Sequence, residues 1–134
     1  MRAPARARWR PAAAVLLALA GAAQVVQAAG YAPRGAELAA NRSLAMCSLC
    51  HAWPGLPAHL GGDIGPPLQG VGARLDAAAL RQRLLAPQRF NPDSVMPAYG
   101  PTSGLQQLPL ALRGKPLLSP AQIDDLVAWL VTLK

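Results

Sequence analysis

Cys47-Ser48-Leu49-Cys50-His51 contains both cysteines of the chain and one of its two histidines. Two thiols three residues apart at a helix end can reach the two vinyl groups of one porphyrin and form thioethers. The next residue, His51, then lies beneath the iron and can donate an imidazole nitrogen. C-x-x-C-H is the pattern of c-type haem attachment. The run therefore predicts one haem c, anchored by Cys47 and Cys50, with His51 as a metal ligand. Three other chemistries use the same residue types. A thioredoxin-like redox pair is also C-x-x-C, but it belongs at a strand-to-helix junction, and no strand pattern is apparent here. A disulfide between the two cysteines would close too short a loop to constrain the unfolded chain much. Zinc would need a fourth ligand that two Cys and one His do not supply.

A six-coordinate iron also needs a ligand on its other face. Met46 directly precedes Cys47 and cannot reach it. His59 follows His51 by eight residues and reads as a solvated loop histidine. Met96 stands in Asn91-Pro92-Asp93-Ser94-Val95-Met96-Pro97, where the prolines hold the chain extended and stiff. Met96 is the predicted second ligand. Met/His ligation raises a haem's reduction potential, so the site reads as an electron acceptor.

These residues need elements to position them. Residues 36–49 have helical composition, with Leu38, Ala45 and Leu49 sharing a face, after a loose stretch over 30–35. Residues 53–72 are punctuated by Pro and Gly throughout and predict an ordered loop. Asp76 is a candidate N-cap for a short helix ending before Pro87, with Leu80 and Leu84 on one face and Arg81 turned away. Residues 89–114 read as loop. Ser119-Pro120-Ala121-Gln122 opens a last helix with a capping box. Asp124 and Asp125 sit in its early turns, where the helix dipole favours carboxylates. Ile123, Leu126, Val127 and Leu130 form its apolar stripe. No segment alternates as a strand does. The fold class is all-α, a few helices joined by long Pro/Gly loops, and loops of such length are usual only where they wrap something.

Residues 1–28 have the form of a cleaved secretory signal: Arg2, Arg6, Arg8 and Arg10, then an apolar run, then Val26-Gln27-Ala28. The run is short for a membrane span, which takes about 20 residues, so no membrane attachment is expected after cleavage. Residues 29–134 form the remaining domain, and the periplasm is the expected location. The full chain carries a net charge of +7, but removal of the four leader arginines leaves +3. That surplus is scattered and has no interleaved aromatics, which excludes a nucleic-acid surface. Residues 29–134 hold only five aromatic residues, while the whole chain has 14 prolines. So thin a core calls for a supplement, and a porphyrin is a large flat apolar body.

The sequence resembles the class I cytochromes c. Gly65-Pro66-Pro67-Leu68-Gln69-Gly70-Val71-Gly72-Ala73-Arg74 is similar to that class's G-P-x-L-x-G stretch and following arginine. The resemblance implies that the Pro66 carbonyl accepts from the second ring nitrogen of His51, and that Arg74 pairs with a haem propionate. The class commonly has an aromatic four residues before the first Cys; Ser43 stands there. Trp129 is accordingly expected to pack on Leu44 or Ala40. More specifically, the chain is similar to the small X subunits of sulfur-oxidation (Sox) cytochromes of the SoxAX type. Trp53-Pro54-Gly55, the run from Asn91 to Tyr99, Gly104-Leu105, Gly114-Lys115-Pro116-Leu117-Leu118 and the final helix carry that resemblance.

This implies a periplasmic electron-transfer subunit partnered by a SoxA-like haem subunit. Such a complex oxidatively joins thiosulfate to a cysteine of the carrier protein SoxYZ and passes electrons to an acceptor cytochrome. The sulfur-transfer (L-cysteine S-thiosulfotransferase) centre is then on the partner; this chain has no third cysteine to serve as one. Two alternatives stay open at this point: a free-standing diffusible cytochrome of a respiratory chain, and a non-haem secreted binding module.

Overall fold

The computed structural model describes residues 30–100, 110 and 113–134. The signal segment 1–28 lies outside them, as do Gly104-Leu105 and the middle of the 97–119 stretch. Among the described residues there are four α-helices: α1 (Ala32–Ala40), α2 (Val71–Arg74), α3 (Ala77–Leu85) and α4 (Pro120–Leu130). Short 3₁₀ turns cover Cys47–Leu49, Ala58–Leu60 and Pro87–Arg89. Among the described residues there is no β-strand.

Helix α4 is the spine. Ser119 Oγ accepts from Gln122 N at 3.3 Å and Gln122 Oε1 accepts from Ser119 N at 2.8 Å, completing the capping box. Its stripe of Ile123, Leu126, Val127 and Leu130 is buried. Helix α3 is capped as its sequence predicts, with Asp76 accepting from Ala79 N at 2.7 Å. Its Leu80 and Leu84 are buried, while Arg81 turns aside to pair with Asp124 of α4.

Helix α1 differs from the sequence expectation at both ends. It starts at Ala32, with Pro33 in its first turn, where the missing N–H is no loss. Gly35, expected in a loose stretch, is a buried helical residue because α1 crosses α4 there. A Cβ at Gly35 would lie 2.0 Å from the Asp125 carbonyl oxygen and 2.7 Å from Trp129 Cβ. The helix stops at Asn41 rather than running on to residue 49. Asn41 Oδ1 accepts from Ser43 N and Leu44 N at 2.9 and 3.1 Å, offering the backbone a turn in place of another helical step. The helix therefore does not run into the cysteine motif.

Two further contacts differ from expectation. Trp129 packs edge-on against Trp53, ring centroids 5.2 Å apart at 75°. Leu44 and Ala40 are exposed, because the chain has already turned away at Asn41. Asp124 and Asp125 do more than face a helix dipole: each holds a neighbouring element. Asp125 accepts from Arg34 Nε at 2.9 Å, from Arg34 Nη2 at 3.1 Å and from Tyr31 N at 2.6 Å, fastening α1 to α4. The hydrogen bonds from Arg34 and the Tyr31 amide hold the Asp125 carboxyl below its ordinary value.

Candidate functional site

The Cys47–Leu49 turn begins from Met46, whose backbone is left-handed at φ 57°. His51 N donates to Cys47 O at 2.9 Å, closing the motif into one tight turn. The Pro/Gly loop is strapped back over it by backbone bonds. Gly62 N donates to Ser48 O at 2.9 Å, Gly65 N to Cys50 O at 2.7 Å, and Leu68 N to Ala52 O at 2.8 Å. Glycine is required along this strap: a Cβ at Gly65 would stand 2.3 Å from His51 Cε1, and one at Gly62 2.1 Å from Leu49 O. His51 Nδ1 lies 2.6 Å from the Pro66 carbonyl oxygen. A carbonyl can only accept, so Nδ1 carries the proton and Nε2 keeps its lone pair.

This turn forms one wall of a cavity of about 710 Å³. Cofactor pockets run from about 300 to 1,000 Å³. Leu68, Val71, Leu75, Leu80, Leu84, Leu126 and Leu130 make the lining mainly apolar. The structure brings Cys47, Cys50, His51, Pro66, Arg74 and Met96 together on that lining. His59 is exposed in the Ala58–Leu60 turn and takes no part in it.

Met96 is partly buried, in a loop fixed through its backbone. Gln88 Nε2 donates to Met96 O at 2.9 Å and to Ser94 O at 3.1 Å, and Ser94 Oγ accepts from Met96 N at 3.3 Å. Three residues on, buried Tyr99 anchors the loop to three places. Its N–H donates to Leu84 O at 3.0 Å, its carbonyl accepts from Leu118 N at 3.2 Å, and its hydroxyl donates to Ala45 O beside the cysteine turn. Burial raises the Tyr99 phenol, so the hydroxyl remains a donor across the physiological range. Arg74 is exposed and donates to Gln69 O at 2.9 Å. Sequence reasoning missed Gln88 and the anchoring role of Tyr99. Gln88 has no local signature, whereas a tyrosine three residues after Met96 could have been read as an anchor.

Burial pushes the Cys47 thiol up to about 11. Redox C-x-x-C pairs work by the opposite shift, to thiolates at or below neutral pH. No disulfide joins Cys47 and Cys50. Among the described residues, no three His, Cys, Asp or Glu side chains converge on a metal-sized point. Also among them, no helix is long and apolar enough to cross a membrane. Paired thiols, a histidine with one nitrogen engaged and the other free, and a thioether share one apolar cavity. That donor set fits a covalently attached haem.

The Cytochrome c family model matches residues 32–134. The chain belongs to the cytochrome c family, with the all-α class I fold, covalent haem c and electron transfer as its function. No curated protein matches the sequence. Among solved structures it is similar to a chain of the crystal structure of SoxXA from P. pantotrophus. The two share 33% identity at a TM-score of 0.73, over 81% of this chain and 85% of that one. It is a class I cytochrome c similar to SoxX.

Proposed function

We propose that this chain is the monohaem, electron-accepting subunit of a SoxAX-type complex, exported to the periplasm with removal of residues 1–28. In this reading the complex couples thiosulfate oxidatively to a cysteine of a SoxYZ-type carrier, and the sulfur chemistry takes place on a SoxA-like haem subunit. The outer sulfur of thiosulfate bonds to the carrier thiol sulfur, the thiol proton leaves, and two electrons are released. Bound in the cavity, haem c supplies one-electron chemistry between those electrons and an acceptor cytochrome.

The chain's own residues do the rest. Cys47 and Cys50 anchor the cofactor by thioethers. His51 presents Nε2 to the iron, oriented by the Pro66 carbonyl, which also raises its basicity. Met96, in a loop that Gln88 and Tyr99 hold still, would supply its sulfur as the second ligand. Arg74 stands at the cavity lining where it can pair with a propionate. Ile64 and Val95, both lining the cavity, are 69% and 79% exposed, so the rim offers apolar surface to a partner.

The convergence of both thiols, His51 and Met96 on one cavity carries this reading. The likeness to a chain of the SoxXA structure supports the partner. Affinity purification of the tagged chain from its native cells tests the partner. A second haem subunit should co-purify in equal amount. A chain that elutes alone with its haem is instead the diffusible carrier.

A further inference from the structure

Helix α3 sends three side chains toward the cavity: Leu80, Arg83 and Leu84. The leucines are apolar lining. Arg83 is a charged group among them, and the attachment and ligation roles above do not use it. Its Nε is buried and has no hydrogen-bond partner. Its guanidinium stands 4.4 Å over the centre of the Phe90 ring, which also lines the cavity. Asp125 and Asp124 are engaged with other arginines, Arg34 and Arg81, and Arg83 makes no ion pair with either. A buried donor left unpaired is unfavourable for folding.

The other charged groups lining the cavity are Arg74 and Asp93. Both are exposed, and solvent and salt screen exposed charges. Arg74 is also turned to the Gln69 carbonyl. Arg83 is more shielded, with Phe90 covering one guanidinium face. A cation over an aromatic face is held there and loses part of its water. In such surroundings a charge acts with less screening than at the surface.

We propose that Arg83 sets the reduction potential of this site upward, acting as an unneutralised positive charge at the cavity wall. The inference rests on the haem reading above. One-electron reduction adds one negative charge to the site. A fixed cation stabilises the reduced form more than the oxidised one, and a guanidinium keeps its charge throughout the working pH range. Arg83 neither ligates nor attaches the cofactor; it shifts the equilibrium of the electron it receives.

The test compares purified wild-type holoprotein with Arg83→Gln and Arg83→Lys. It uses redox titration, the covalent haem content, and the methionine-sulfur-to-iron band at the red end of the spectrum. Arg83→Gln should be about tenfold harder to reduce, a fall of about 59 mV for one electron, with covalent haem and the methionine band intact. Arg83→Lys restores the charge without the planar stack and should stay within about threefold of wild type. An unchanged potential in Arg83→Gln overturns the proposal. So does an equal fall in both variants, which would make the stack the cause, or loss of the methionine band in Arg83→Gln, which would make Arg83 a prop for the loop. Wild-type protein without covalent haem would instead overturn the haem reading, and the proposal with it, before any variant is compared.

Discussion

Pro66 decides which nitrogen of His51 is left free. Its carbonyl accepts a hydrogen bond from Nδ1–H at 2.6 Å, and Gly65 lets the loop come close enough for it. Gly65→Ala puts a Cβ 2.3 Å from the imidazole and should displace the ring. The yield of covalent haem should then fall several-fold, as read by haem absorbance per chain. Met96→Ala should keep the thioether-bound haem but lose the methionine-to-iron band and lower the potential. A band that survives unchanged assigns the ligand elsewhere. His59→Ala should leave the spectrum alone, since His59 is exposed and away from the cavity. That Cys47, Cys50, His51 and Met96 share one cavity was expected from residue type, from local spacing for the first three and from flanking prolines for Met96. Gln88 and Arg83 were not legible. Their roles come from partners that only the folded chain brings near, Ser94 and Met96 for one and Phe90 for the other.

At the scale of elements, the crossing of α1 and α4 rests on small residues and one carboxylate. Gly35→Ala drives a methyl into the Asp125 carbonyl and Trp129. Overpacking of this kind costs about 1–3 kcal/mol, and denaturant titration of the holoprotein should show it. Asp125 has a folded pKa below its ordinary value of 3.8, chiefly through its hydrogen bonds to Arg34 and then to the Tyr31 amide. Its stabilisation is therefore complete above that ordinary value and is lost as pH falls through the lowered one. Asp125→Asn should melt earlier than wild type at neutral pH, and the gap should begin to narrow below about pH 4 and close only below the lowered folded pKa. A gap independent of pH would mean that packing, not charge, makes the contact. Helices α3 and α4 were readable from sequence because their caps, Asp76 and the Ser119/Gln122 pair, act within a few residues. Helix α1 was misplaced because Gly35 is helical only on account of α4, and because Asn41 stops the helix with its own side chain.

Across the whole molecule, few rings and many prolines find their use together. Tyr99 and Trp129 are the buried aromatic residues of the described core, and Leu80, Leu84, Leu126 and Leu130 of α3 and α4 line an apolar cavity. A large flat cofactor completes that core, and the prolines stiffen the loops that close over it. The Cys47→Ala/Cys50→Ala double variant, made without haem, should lack a cooperative thermal transition by circular dichroism. A sharp melt would show that the helices pack adequately without the cofactor. The most direct test of the account is a pyridine haemochrome spectrum with an intact mass of the exported chain. It should show one haem per chain, bound through two thioethers, with residues 1–28 removed. A chain without haem, carrying a disulfide between Cys47 and Cys50, would contradict it.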